Sequence, residues 1–201
     1  MHNLLHLVNS WSESQFVQTF GSLFEDSAWI AERSAPLRPF DSFEEMMQTM
    51  IQQVLGSEYE EQLELLRKHP DLGARISMSS SSVREQAGAG LDSLTPEQFK
   101  EMQQLNSTYT SRYGFPFIVA VKGHTTESIL DLMRQRQRRA SQQEFETALK
   151  EVFKIAGIRL QQWLEEHGQE TESGQSSSKS FSSMNVSYTN RAEKIPEEGD
   201  I

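Results

Sequence analysis

Helix-start signals, each set just ahead of apolar residues spaced three and four apart, constrain this chain more than any other feature. Ser12 with Gln15 forms a capping box, each side chain taking a free backbone N–H of the other, ahead of Phe16, Val17 and Phe20, and Gly21 closes the element. Ser42 with Glu45 precedes Met46, Met47, Met50, Ile51 and Val54, with a stop at Gly56; Ser57 with Glu60 precedes Leu63, Leu65 and Leu66. Thr95, Pro96 and Gln98 open a fourth helix, with proline at the first position, where its missing N–H is harmless. A fifth spans roughly Thr126 to Arg139, and Ser141 with Glu144 begins the longest, ended by Gly168. The exception is Phe115-Pro116-Phe117-Ile118-Val119-Ala120-Val121, which by composition could be a short buried strand. With no second β-rich run to pair with, a lone strand would leave its backbone groups unsatisfied. That segment is therefore expected to be buried and irregular or partly helical, and the fold class all-α, a compact single-domain helical bundle.

The apolar spacing stops near Gly168. Residues 169–201 are rich in Ser, Glu and Gly and poor in large apolar side chains, so they cannot bury enough surface to offset the entropy of ordering. The expected organisation is a helical domain over 1–168 and a disordered tail or linker over 169–201. The 201 residues include no cysteine, which excludes disulfides, a thiolate nucleophile and thiolate metal ligation. A net charge of −10 argues against a nucleic-acid partner. The basic cluster Arg134, Arg136, Arg138 and Arg139 reads as a solvated helix end. No apolar run approaches the ~20 residues that span a bilayer, and the opening Met1-His2-Asn3-Leu4 does not read as a secretory leader. A cytoplasmic protein with no membrane partner is expected.

Three places could carry chemistry. His69 precedes Pro70, which disfavours helical geometry in the residue before it, so His69 should stand at or just past a helix end. There the helix dipole would favour imidazolium and push its pKa towards neutrality or above; the competing reading is a half-exposed C-cap histidine. His2, His6, His124 and His167 form no ligand spacing with it, so no metal is expected. Ser82 to Glu85 has the spacing of a further capping box, yet the same geometry would present free N–H groups to an anionic ligand with a carboxylate beside them. Arg159 follows Ala156 by three and Val152 by seven, placing a guanidinium on or at the edge of the apolar stripe of the last helix. An inward charge needs a partner, and the alternative is a packed stem with its head in water.

Four segments, HPDLGAR, SVREQAGAGL, LNSTYTSRYGFPFIVAVKG and AGIRL, together with the earlier SAWIAERSAPLRPF, resemble in order the 2-oxo-4-hydroxy-4-carboxy-5-ureidoimidazoline decarboxylases. The resemblance covers residues 1 to 168. It implies an all-helical enzyme, often a homodimer, that converts this small ureido-imidazoline to (S)-allantoin in urate breakdown without metal or cofactor. It implies catalytic roles for His69 and Glu85. Substrate contacts are implied for Pro70, for Ser82, Val83, Arg84 and Gln86, for the backbone of Phe117, Ile118, Val119, Ala120 and Val121, and for Arg159. The guanidinium of Arg159 is expected to be unpaired until substrate arrives, with Glu85 sharing it meanwhile. A functional association with urate oxidase or hydroxyisourate hydrolase is implied as well. The rival reading, a non-catalytic helical module tethering a urate-oxidising partner, has His69, Glu85 and Arg159 scattered over the surface; the enzyme has them in one pocket.

Overall fold

The computed structural model describes residues 2–74 and 79–168; the tail expected over 169–201 lies outside them. Among the described residues there are nine α-helices and no strand: α1 (His2–Ser10), α2 (Glu13–Phe20), α3 (Trp29–Ser34, continued by a 3-10 turn Ala35–Leu37), α4 (Phe43–Leu55), α5 (Tyr59–Arg67), α6 (Ser80–Gly88), α7 (Pro96–Tyr113), α8 (Thr126–Arg136) and α9 (Ser141–Gly168). The all-α class holds. The short helices α1 and α3 escaped the sequence reading; α3 has no side-chain cap to announce it.

The caps divide instructively. Ser12–Gln15 and Thr95–Gln98 form reciprocal boxes and Ser42 accepts from the Glu45 N–H. Three other signals are reassigned. Glu58, not Ser57, stands at the start of α5, because the Ser57 hydroxyl donates instead to the Val54 carbonyl at 2.8 Å. Ser79, not Ser82, caps α6. Ser141 lies inside α9, and Glu144 is drawn into the core with no exposed surface. Helix α8 stops at Arg136 rather than Arg139.

The 28-residue α9, about 42 Å long at 1.5 Å per residue, packs against α5 and α7 and supplies the longest buried stripe, from Phe145 through Val152, Ala156 and Leu160 to Leu164. At its C-terminal end Trp163 gathers an aromatic cluster, with ring centroids 4.9 Å from Phe20 and 6.2 Å from Trp11. At the opposite end Phe115, Tyr109, Tyr113 and Phe145 pack edge-on or tilted. Between these clusters the segment 116–121 runs through the core in neither helix nor strand, as its isolation required. The basic cluster is only partly a solvated helix end. Arg134 is half-exposed and pairs with Glu101 and Asp131, but Arg136 is buried, its Nε donating to Glu144 Oε1 at 2.6 Å with the guanidinium 4.4 Å above the Phe117 ring. A side chain that meets a buried carboxylate need not stay in water.

Candidate active site

Helix α5 ends at Arg67 and the chain turns at Lys68, leaving His69 just beyond the helix, as Pro70 demanded. The imidazole is not half-exposed: only 7% of the residue reaches solvent. Its Nδ1 lies 2.9 Å from the Leu65 carbonyl, one of the helix-end acceptors left without an intrahelical partner. A carbonyl can only accept, so Nδ1 carries the hydrogen and Nε2 of the neutral ring presents a lone pair. That Nε2 is buried and has no hydrogen-bond partner. Burial, with the Arg159 guanidinium adding to it, outweighs the Leu65 carbonyl and the Glu25 carboxylate and holds the His69 pKa below its ordinary value of 6.5. The expectation of a raised pKa is thus overturned: desolvation exceeds the helix-end effect.

The loop after His69 is fixed from two sides. Gly73 donates its N–H to Gln86 Oε1 at 2.8 Å, and Asn106 Nδ2 donates to the Leu72 carbonyl at 2.9 Å. Gly73 has φ +68°, a conformation that glycine adopts without the strain an L side chain would bring.

Facing this loop, α6 and α9 bring Glu85 and Arg159 together. Arg159 Nε meets Glu85 Oε1 at 2.7 Å and Nη2 meets Oε2 at 2.9 Å, a forked pair. The guanidinium is more fully occupied than the sequence suggested. Nη2 lies 2.8 Å from Glu25 Oε2 and 3.1 Å from Ser82 Oγ, while Nη1 donates to the Leu23 carbonyl at 3.4 Å. It is not waiting unpaired. Its pKa is raised because Glu85 and Glu25 outweigh a large desolvation. Glu25, unnoticed in the sequence, is 4% exposed and accepts the Ser82 hydroxyl at 3.0 Å. Its burial would raise the carboxyl, but Arg159 and its other partners lower it below its ordinary range. Its φ of 51° is rare for an L residue and costs on the order of 1–3 kcal/mol, which persists only where surrounding contacts enforce it.

These pieces enclose a cavity of about 260 Å³. His69, Pro70, Ser82, Arg84, Glu85, Gln86 and Arg159 line it, as do Phe117, Ile118, Val119, Ala120 and Val121. Val83 does not: it is 46% exposed, because its neighbours Ser82 and Gln86 occupy the inward face of α6. The sequence reading missed Leu72, Lys122, Ile155, Ile158 and Gln162 on the walls. Ile155 and Gln162, four before and three after Arg159, follow from it by helical spacing and were findable; Glu25 had no such signal. His69, Glu85 and Arg159 thus share one pocket rather than scattering. A lone imidazole nitrogen, a forked ion pair and an irregular backbone wall can orient a small planar polar molecule and move a proton on it. Among the described residues no three His, Cys, Asp or Glu side chains converge on a metal site, and no helix is long and apolar enough to cross a membrane.

Residues 9–161 match the family model for OHCU decarboxylase. The chain is 45% identical over 161 residues to the 2-oxo-4-hydroxy-4-carboxy-5-ureidoimidazoline decarboxylase of Haloferax volcanii, covering 80% of this chain and 96% of that one. It is 43% identical over 162 residues to the uric acid degradation bifunctional protein PucL of Bacillus subtilis, covering 81% of this chain but 33% of that one. A crystal structure of (S)-allantoin synthase superposes with a TM-score of 0.66 at 29% identity, over 79% of this chain and 52% of that one.

Proposed function

The chain belongs to the OHCU decarboxylase family, and from that premise we infer that it is a carboxy-lyase releasing CO₂ from 2-oxo-4-hydroxy-4-carboxy-5-ureidoimidazoline to give (S)-allantoin. The observation that carries this reading is His69 Nε2, a buried basic nitrogen with no partner on the wall of the cavity. In this substrate the carboxylate leaves from a ring carbon next to a C=N bond. The electron pair of the broken C–C bond becomes a ring C=C bond and the nitrogen takes a proton. The resulting enol then loses its O–H proton as the ureido-bearing carbon gains one. No external electron sink is needed, and the protein's tasks are to orient, exclude water and protonate one face. Neutral His69 accepts the hydroxyl proton at Nε2 and is placed to return one to carbon. Glu85, held by Arg159, takes hydrogen bonds from the hydroxyl or ureido N–H groups, and the 117–121 backbone meets the ring.

The test is direct. Freshly generated substrate given to the full chain should yield allantoin of one hand, followed by circular dichroism, together with CO₂. Equal rates with and without protein, or racemic product, would sink the reading and favour the tethering module. The acid limb of kcat/KM should fall with an apparent pKa below 6.5, because the neutral, desolvated form of His69 is the active one. Stability should move the same way. An unfolded chain with an ordinary histidine binds a proton below pH 6.5 that the folded one resists, so stability is lost as pH falls from there towards the lowered folded value. Glu25, also lowered, loses its contribution further on the acid side, below its ordinary 4.5. An acid limb above 6.5 would assign the base to another group. The same premise carries a cytoplasmic homodimer working beside a urate oxidase, which sedimentation and pull-down from a urate-degrading cell would check.

A further inference from the structure

A wall segment with neither helix nor strand partners must have its backbone held by side chains, and here the holders are two residues that do not touch the cavity. Arg136 Nη1 donates to the Ile118 carbonyl at 2.8 Å, and Glu151 Oε2 accepts the Ala120 N–H at 2.9 Å. Arg136 comes from the end of α8 and Glu151 from α9, four residues before the cavity-lining Ile155. Neither lines the cavity, which Ile118, Val119 and Ala120 all do. Each holder is itself fixed: Arg136 by buried Glu144, which also accepts the Tyr109 hydroxyl, and Glu151 by Lys154 Nζ at 2.6 Å.

Val119 lies between the two anchored groups and lines the cavity. None of the hydrogen bonds among the described residues uses the Val119 N–H or carbonyl. We propose that Arg136 and Glu151 are positioning residues: by holding the peptide groups on either side, they leave the Val119 N–H and carbonyl as an adjacent donor and acceptor facing the cavity, a match for the N–H/C=O edge of a cyclic ureide. The proposal rests on the decarboxylase reading.

The measurement is steady-state turnover by the full chain, with (S)-allantoin binding by calorimetry as a second readout. Glu151→Ala removes the acceptor and should raise KM and weaken (S)-allantoin binding by about tenfold, the worth of one misplaced hydrogen-bonded edge, while the acid limb set by His69 stays in place. Glu151→Gln keeps an oxygen acceptor and should stay near wild type. Arg136→Lys keeps a cation beside Glu144 but cannot also reach Ile118, so it should behave as Glu151→Ala does. Circular dichroism establishes which variants fold. If folded Glu151→Ala or Arg136→Lys binds and turns over as wild type does, the positioning role is wrong. A Gln variant as weak as the Ala variant would show that charge, not the hydrogen bond, matters, and would equally overturn it. Wild-type protein inactive on the substrate overturns the decarboxylase reading itself, and this one with it.

Discussion

Replacing His69 by Asn is expected to lower kcat by on the order of 10²–10⁴-fold, the usual worth of a positioned acid–base group. The choice of Asn follows from the geometry. Its amide nitrogen sits about where the imidazole Nδ1 does, so it can still donate to the Leu65 carbonyl, while nothing replaces Nε2. The Asn variant should therefore melt close to wild type and bind (S)-allantoin nearly as well, separating chemistry from binding. Ala is a different experiment in this structure. It strips the Leu65 carbonyl of its partner at a buried helix end and should cost about 1–3 kcal/mol of stability besides the activity. Near-wild-type turnover by the Asn variant, measured on freshly generated substrate, would remove His69 from the mechanism.

Substituting Arg159 is expected to have the second large effect, and its burial between two carboxylates reverses one sign. A lone inward guanidinium could be exchanged for Met at little cost in stability, even a gain. Arg159 is not alone: removing it leaves Glu25, 4% exposed, and Glu85 facing each other without a cation. Arg159→Met should therefore destabilise by about 3–5 kcal/mol, as breaking a buried pair from one side does, and abolish turnover. The loss should shrink as pH falls, because protonating buried Glu25 relieves the uncompensated charge. Arg159→Lys keeps one positive charge but not the fork. It should stay folded and lose about 1–3 kcal/mol of kcat/KM. Melting curves and specific activity on the same preparations decide it. A Met variant that melts like wild type at neutral pH would show that the carboxylates hold no shared charge, and full activity per folded Lys variant would make the arginine purely structural.

What the sequence determined by itself is what short range can encode. The caps at Ser12, Ser42 and Thr95, the stops at Gly21 and Gly56 and the apolar stripe of the last helix all act within one or two turns, so they are legible without a fold. The same is true of His69, put past a helix end by Pro70, and of Arg159, put inward by periodicity. The resemblance then gathered His69, Glu85 and Arg159 into one expected pocket, where the structure places them. The tertiary structure alone decided which charges meet and which groups are dry. Ser82 and Glu144 looked like parts of capping boxes and became partners of buried arginines; Arg136 looked like a solvated helix end and holds the cavity wall; Glu25 looked like nothing and is a second carboxylate on Arg159. His69 has a lowered rather than raised pKa for the same reason. Desolvation and ion pairing depend on what packs from distant parts of the chain, and on a nearby charge that no local spacing announces.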